Sequence, residues 1–151
     1  MEENVPEMEN AGGTQSVLLE HNLFIIWKPE YNLGIAIIDE QHRGIVAIIN
    51  SLYFGTQCSY VSDILVPIIG MLRSYAQIHF QMEEYFLETI NYPSLPSHRL
   101  LHQEYISKLA EIERKSVLDK DPYQLIGFLK NWWLSHICEE DTLYRDFSDR
   151  H

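Results

Sequence analysis

Two pairs of side chains with metal-binding chemistry, His79/Glu83 and His98/His102, stand at i,i+4 spacing on either side of the tract Asn91-Tyr92-Pro93-Ser94. Residues four apart lie on one face of an α-helix, about one turn from each other. The tract between the pairs is rich in turn and helix-breaking residues, so it ends one helix and sends the chain back. Two adjacent antiparallel helices then aim four donor side chains at one point. One such pair on an amphipathic helix is common. Two pairs joined by a short turn point to a helical bundle with a polar cluster inside it, because facing helices are where bundles build metal sites.

Apolar periodicity supplies the remaining helices. Ile38, Ile45, Ile48, Ile49 and Leu52 form a helical stripe with His42 beside it, which predicts a first helix from residue 38 to 53. Residues 55–59 read as a loop. Ser62 and Asp63 offer N-caps for a second helix that reaches Thr89; Pro67 either shifts its regular start toward Val66 or kinks its first turn. The third helix begins near Ser94, accepts Pro96 in its first turn and continues to Val117. Asp121-Pro122 opens the fourth, which carries Leu125, Phe128, Leu129, Trp132, Trp133 and His136 and ends near Phe147. No internal repeat and no alternating run compels a sheet. The expected fold is all-α: an up-down-up-down antiparallel four-helix bundle. A lead-in from Leu23 to Ile38 is expected to wrap across the end of the bundle and bury Trp27.

With 151 residues, a single domain over 21–151 is expected, preceded by an acidic disordered tail over 1–20. Net charge is −11, and the tail contributes Glu2, Glu3, Glu7, Glu9 and Glu20 with no Lys or Arg. This balance argues against nucleic acid, whose affinity rests on Lys and Arg at phosphates, and against an anionic membrane surface. No apolar run approaches the roughly 20 residues that span a bilayer, and the acidic N-terminus lacks the apolar region of a signal peptide. Two cysteines, Cys58 and Cys138, make no disulfide framework, so a reducing cytoplasm is the expected setting. Cys138 lies two residues past His136 and points to another helix face; Cys58 sits in a loop.

Seven histidines occur. His21 and His151 read as solvated. His42, His79, His98, His102 and His136 all fall on predicted helices. Each buried ring nitrogen needs a partner, and a shared metal satisfies five rings together. Among the carboxylates, Glu83 shares the face of His79. Glu84, one residue on, is rotated about 140° from His79 and reads as a surface charge. Near His136 the spacing leaves Glu139, Glu140 and Asp141 open. An i+4 relation favours Glu140, and Asp141 at i+5 reaches in from an offset direction.

The ordered motifs resemble a known family. Trp27…Tyr31-Asn32-Leu33-Gly34-Ile35, Ile38-Asp39-Glu40-Gln41-His42, His79-Phe80-Gln81-Met82-Glu83-Glu84, Tyr92-Pro93, His98-x3-His102 and Trp132-x3-His136-Ile137-x3-Asp141 are similar to those of the hemerythrins, in their bacterial single-domain form, across residues 25 to 147. HxxxE alone is weak; the set H…HxxxE…HxxxH…HxxxxD is highly specific. The resemblance implies a non-haem di-iron site in which His98, His102 and His136 hold one iron. His42 and His79 hold the other, which keeps an open position. Glu83 and Asp141 bridge the two with a solvent-derived oxygen, so the resemblance implies Asp141 rather than Glu140. It also implies reversible O2 binding, for storage, delivery or buffering. Five neutral imidazoles against two carboxylates suit that task, since imidazole suits iron and few anionic donors disfavour its high-valent states. Ile45, Phe80, Trp132 and Trp133 are implied to line a dry oxygen pocket; as plain residues they are also ordinary core. Trp133 departs from the family, which more often carries an aliphatic residue there, and its indole narrows the pocket or redirects entry.

Three other functions compete. One is an O2 or redox sensor speaking to a protein partner through the tail or lead-in. Another is a di-iron enzyme acting on peroxide or nitric oxide, for which no substrate pocket or electron-transfer motif is evident. The last is a zinc-loaded or metal-free structural bundle.

Overall fold

The computed structural model describes residues 23–57 and 61–150. The acidic tail, His21, Cys58 and His151 fall outside the described residues. Four helical rods form the fold: α1 (Ala36–Gln57), α2 (Val61–Thr89), α3 (Leu95–Asp119), and a last rod made of α4 (Tyr123–Trp132), a π-helical stretch (Trp133–Glu140) and α5 (Asp141–Ser148). Each rod packs on the next, and α4 returns to α1, which closes an antiparallel bundle. The described residues contain no strand.

The turns follow from local chemistry. Two residues past the end of α2, Asn91 takes the left-handed conformation with φ +53°. Asparagine tolerates this better than most residues. Tyr92 N–H then donates to Leu87 O at 2.9 Å, closing the helix end. Lys120 does the same after α3, with Asp121 N–H donating to Ser116 O at 3.0 Å. Asp121 then caps the last rod, its carboxylate accepting from Tyr123 N–H at 2.9 Å, as the Asp-Pro start signal predicts. Pro67 neither delays nor ends α2, which runs through it from Val61.

The interior is layered. A large apolar cluster (Ile45, Ile49, Leu52, Leu72, Phe80, Leu109, Leu125, Leu129, Trp132, Trp133 and neighbours) fills one side, and Leu33, Ile38, Leu87, Leu95 and Tyr144 form a smaller cluster on the other. Along every rod the polar residues with donor chemistry stand between members of the two clusters. His42 lies between Ile38 and Ile45, Glu83 between Phe80 and Leu87, and Asp141 between Ile137 and Tyr144. A polar layer is thus sealed on both sides.

The lead-in departs from expectation. It runs along α1 rather than across the end of the bundle. Asn50 Oδ1 accepts from Phe24 and Ile25 N–H at 3.0 and 2.8 Å. Toward the other end of α1, Asp39 accepts from Leu33 and Gly34 N–H at 2.6 and 3.0 Å. Gly34 holds φ +81°, which a side chain would strain. Ile25 and Leu33 are the buried anchors, whereas Trp27 is half-buried, with the Arg43 guanidinium 4.4 Å from its ring centroid. Tyr31 and Trp133 also meet the indole edge-on, at 5.7 Å each, yet it stays partly exposed at the rim. Because Asp39 receives two charge-assisted bonds, Asp39→Ala is expected to cost about 2–3 kcal/mol, read as a lowered denaturation midpoint with the lead-in released first.

Candidate metal centre

The polar layer brings together all seven side chains singled out in the sequence. His42 comes from α1, His79 and Glu83 from α2, His98 and His102 from α3, His136 from the π-helical stretch and Asp141 from the start of α5. All are buried, and His42, His79, Glu83, His136 and Asp141 are wholly inaccessible. Their donor atoms fall into two groups, each within 4.8 Å: Glu83, His98, His102 and His136, and His42, His79, Glu83 and Asp141. Glu83 belongs to both. Its Oε2 lies 3.0 Å from His102 Nε2, 3.4 Å from His98 Nε2 and 3.8 Å from both His79 and His136 Nε2. Asp141 also spans the groups: Oδ2 is 3.3 Å from His42 Nε2, while Oδ1 is 3.4 Å from His136 Nε2 and 3.6 Å from His98 Nε2.

The π-helical stretch explains why Asp141 joins the cluster. A π-turn bonds N–H(i) to O(i−5) and so stacks residues five apart. Asp141 N–H donates to His136 O across the end of the eight-residue stretch. In regular α-geometry Glu140 would occupy that direction. Here Glu140 is only half-buried and belongs to neither donor group.

Three further residues, which spacing alone did not mark as site residues, complete the layer. Gln41 Oε1 lies 3.2 Å from His79 Nδ1, and Glu84 Oε1 lies 2.8 Å from His102 Nδ1. Both oxygens accept, so both rings carry the proton on Nδ1 and turn a bare Nε2 lone pair inward. Tyr144 donates its buried hydroxyl to Glu83 Oε1 at 2.5 Å. Glu84 is therefore no free surface charge: it reaches across to α3, where it also meets Arg99 Nε at 3.2 Å. Rotation from His79 within α2 does not register the neighbouring helix. Tyr144 stands three residues after Asp141, a spacing that carries a signal for it; the partner of Glu84 on another rod carries none.

The donor set fits a cation. His102 presents a bare Nε2 to the Glu83 carboxylate at 3.0 Å, two lone pairs face to face, which only a positive charge between them resolves. His79 Nε2, both nitrogens of His42, His136 Nδ1 and both oxygens of Asp141 are buried without a hydrogen-bond partner. Burial lowers the His42 pKa to about 4, against the opposing pull of Glu83 and Asp39, and lowers His79 to about 3, again against Glu83. Burial pushes the Glu83 carboxyl up, yet the imidazoles crowded around it, those of His102 and His136 foremost, outweigh burial and hold it well below the usual range. Burial, then the Glu83 charge, push Asp141 well above its usual range.

His42 and His79 are thus neutral at physiological pH, the form that binds metal. Their folded pKa values are depressed, so the unfolded chain takes up protons first. The stability they lend the metal-free protein is complete above about pH 6.5 and is lost as pH falls toward about 4 for His42 and about 3 for His79. Proton NMR of the metal-free protein is expected to show both rings unprotonated at about pH 5, well below the ordinary imidazole midpoint near 6.5.

Apolar and aromatic groups enclose the layer. Phe80 stacks on His102 with centroids 3.9 Å apart and planes at 13°, and Trp132 lies nearly parallel to His136 at 6.0 Å. Trp133 stands edge-on to His42 at 6.3 Å and is backed by Trp27 and Tyr31 of the lead-in at 5.7 and 5.5 Å. Ile45 is fully buried one turn after His42. Cys138 is half-buried, and burial, with Asp141 and Glu139 nearby, raises its thiol to about 11, so it is inert as a nucleophile.

A closed four-helix bundle with two histidine-rich donor groups sharing one buried carboxylate is the architecture of a dinuclear metal protein. Comparison with known proteins gives the particular kind. The Hemerythrin HHE cation binding domain matches residues 33–146. The chain is 35% identical to a bacteriohemerythrin of Clostridium acetobutylicum over 127 residues, 80% of this chain and 98% of the relative. It is 30% identical to a bacteriohemerythrin of Stenotrophomonas maltophilia over 123 residues, 81% of this chain and 80% of that one. A hemerythrin chain of Sipunculus nudus is also 30% identical over 121 residues, 80% of this chain and 91% of that one. The chain belongs to the hemerythrin family, whose members bind O2 at a di-iron centre. No helix among the described residues is long and apolar enough to cross a membrane.

Proposed function

We propose that this protein binds O2 reversibly at a di-iron centre and serves to store, deliver or buffer it. One observation carries the reading: two buried donor groups that share Glu83, one with three imidazoles and one with two. His98, His102 and His136 would hold one iron, His42 and His79 the other, and Glu83 and Asp141 both. When bound, the pair of irons supplies two electrons and, on the side with fewer imidazoles, room for an incoming diatomic ligand. The chain's own residues do the rest. Gln41 and Glu84 hold His79 and His102 in the tautomer that presents Nε2 inward. Tyr144 orients Glu83. Ile45, Phe80, Trp132 and Trp133 exclude water, which limits loss of the bound ligand and irreversible oxidation. The cysteine count favours a reducing cytoplasm.

The test is a visible spectrum with iron analysis through one cycle of anaerobic reduction, air and deoxygenation. Charge-transfer bands that appear in air and vanish on deoxygenation are expected. Iron that oxidises at once to a stable ferric form would favour redox sensing instead, and absence of iron would overturn the reading.

Trp133 gates the site in this reading. It fills the space between His42 and the lead-in aromatics. Trp133→Leu is expected to accelerate both O2 release and autoxidation several-fold by stopped-flow, at a stability cost of about 2–4 kcal/mol for the lost core volume. Unchanged rates would place the entry route elsewhere.

A further inference from the structure

Consecutive residues of α2 grip the two edges of one imidazole. Glu83 Oε2 faces His102 Nε2 at 3.0 Å inside the bundle, and Glu84 Oε1 accepts from His102 Nδ1–H at 2.8 Å on the outside. Phe80, one turn before Glu84, stacks on the same ring. These three α2 side chains set the ring's plane and tautomer. Glu84 is not sealed in. It borders a groove of about 500 Å3 between α2 and α3, lined by Gln77, Gln81, Gln103 and Ser107. Its other oxygen meets Arg99 Nε at 3.2 Å, and Arg99 also approaches Glu88 at 3.6 Å. The equivalent contact on the other donor group differs in kind: His79 Nδ1 meets a neutral, buried amide oxygen, that of Gln41. One group is therefore backed by an anion open to the surface, and the other by a neutral group closed from it.

A carboxylate accepting from Nδ1–H draws the proton away and makes Nε2 a stronger donor, which favours the higher oxidation state of whatever metal it holds. A cation paired with that carboxylate weakens the effect. We propose that Glu84 is a positioning residue that tunes the three-histidine iron through His102, and that Arg99 sets how strongly it does so. The Glu84–Arg99 pair makes the potential of a buried centre adjustable from the protein surface. This proposal rests on the di-iron reading.

Opposite signs test it. In the iron-loaded protein, E84Q replaces the anion with a weaker neutral acceptor, and the ferric/ferrous midpoint of the site, followed by anaerobic titration with mediators, is expected to move positive. R99Q leaves Glu84 without its counter-charge, and the midpoint is expected to move negative. A merely structural role would loosen the ring in both variants and move the two midpoints the same way. In the metal-free protein, nitrogen-15 NMR is expected to find the His102 proton on Nδ1, strongly downfield in wild type and R99Q and shifted upfield in E84Q. Parallel or absent shifts in the midpoints, or a His102 ring without its proton on Nδ1, overturn the proposal. Wild-type protein that loads no iron overturns the di-iron reading and the proposal with it, so the two failures are told apart by iron analysis of the wild type.

Discussion

Replacing Glu83 with alanine is expected to strip iron from both halves of the site, whereas His42→Ala removes it from one half only. Glu83 stands in both donor groups, and its Oε2 faces four of the five imidazoles. Removing it leaves three histidines on one side and two on the other, with Asp141 alone to span them. His42 belongs to one group, so its loss leaves Glu83, His98, His102 and His136 intact. Iron per chain after reconstitution and desalting reads the difference directly. Equal losses in the two variants would mean that the halves fill only together, and equal retention would remove Glu83 from the site. The alanine variant still folds, since it sheds a buried carboxylate that repels Asp141. Its cost is a buried Tyr144 hydroxyl without an acceptor, about 1–3 kcal/mol.

That contrast could be anticipated from sequence only in part. Residues that announce themselves by helical spacing were legible. His79/Glu83 and His98/His102 are fixed by i,i+4 geometry and the turn at Asn91, and the apolar stripe of α1 places His42 inward. The Asp121-Pro122 start and the four-helix layout follow from capping chemistry and loop length. What spacing could not give is any feature set by a departure from regular geometry or by a partner on another rod. The π-helical stretch shifts the inward direction from Glu140 to Asp141. Without it, i+4 is the better choice, and only the family resemblance pointed to Asp141. Glu84 and Gln41 lie beside site residues in the chain, but their roles depend on which ring nitrogen a neighbouring rod turns toward them. The lead-in's course along α1 depends on Asn50 and Asp39 accepting backbone N–H groups, contacts that no periodicity encodes. Pro67 shows the converse. A strong local breaker sits inside a continuous α2, whose apolar face is held by packing against α1 and α3.

Removing iron is expected to lower the melting temperature by about 10 °C or more. At a thousandfold excess over its Kd a ligand stabilises the native state by about 4 kcal/mol, and a domain of this length moves by roughly 2–4 °C per kcal/mol. The physical source of that energy lies in the polar layer. Without a cation, the buried Glu83 carboxylate sits against Asp141, and the unpartnered atoms of His42, His79, His136 and Asp141 have lost water without gaining a partner. A bound cation converts the inward-facing ones, at Nε2 of His42 and His79 and at the Asp141 oxygens, into favourable contacts. In the metal-free state the difference is smaller. Glu83→Gln keeps an acceptor for Tyr144 but loses the charge that the surrounding imidazoles favour, so the metal-free variant is expected to melt slightly below metal-free wild type. The iron-loaded comparison is expected to favour wild type strongly. Differential scanning calorimetry of the four samples separates these effects. A metal-free wild type as stable as the loaded protein would mean that the two apolar clusters flanking the layer hold the bundle by themselves, and that the buried donors cost the fold little.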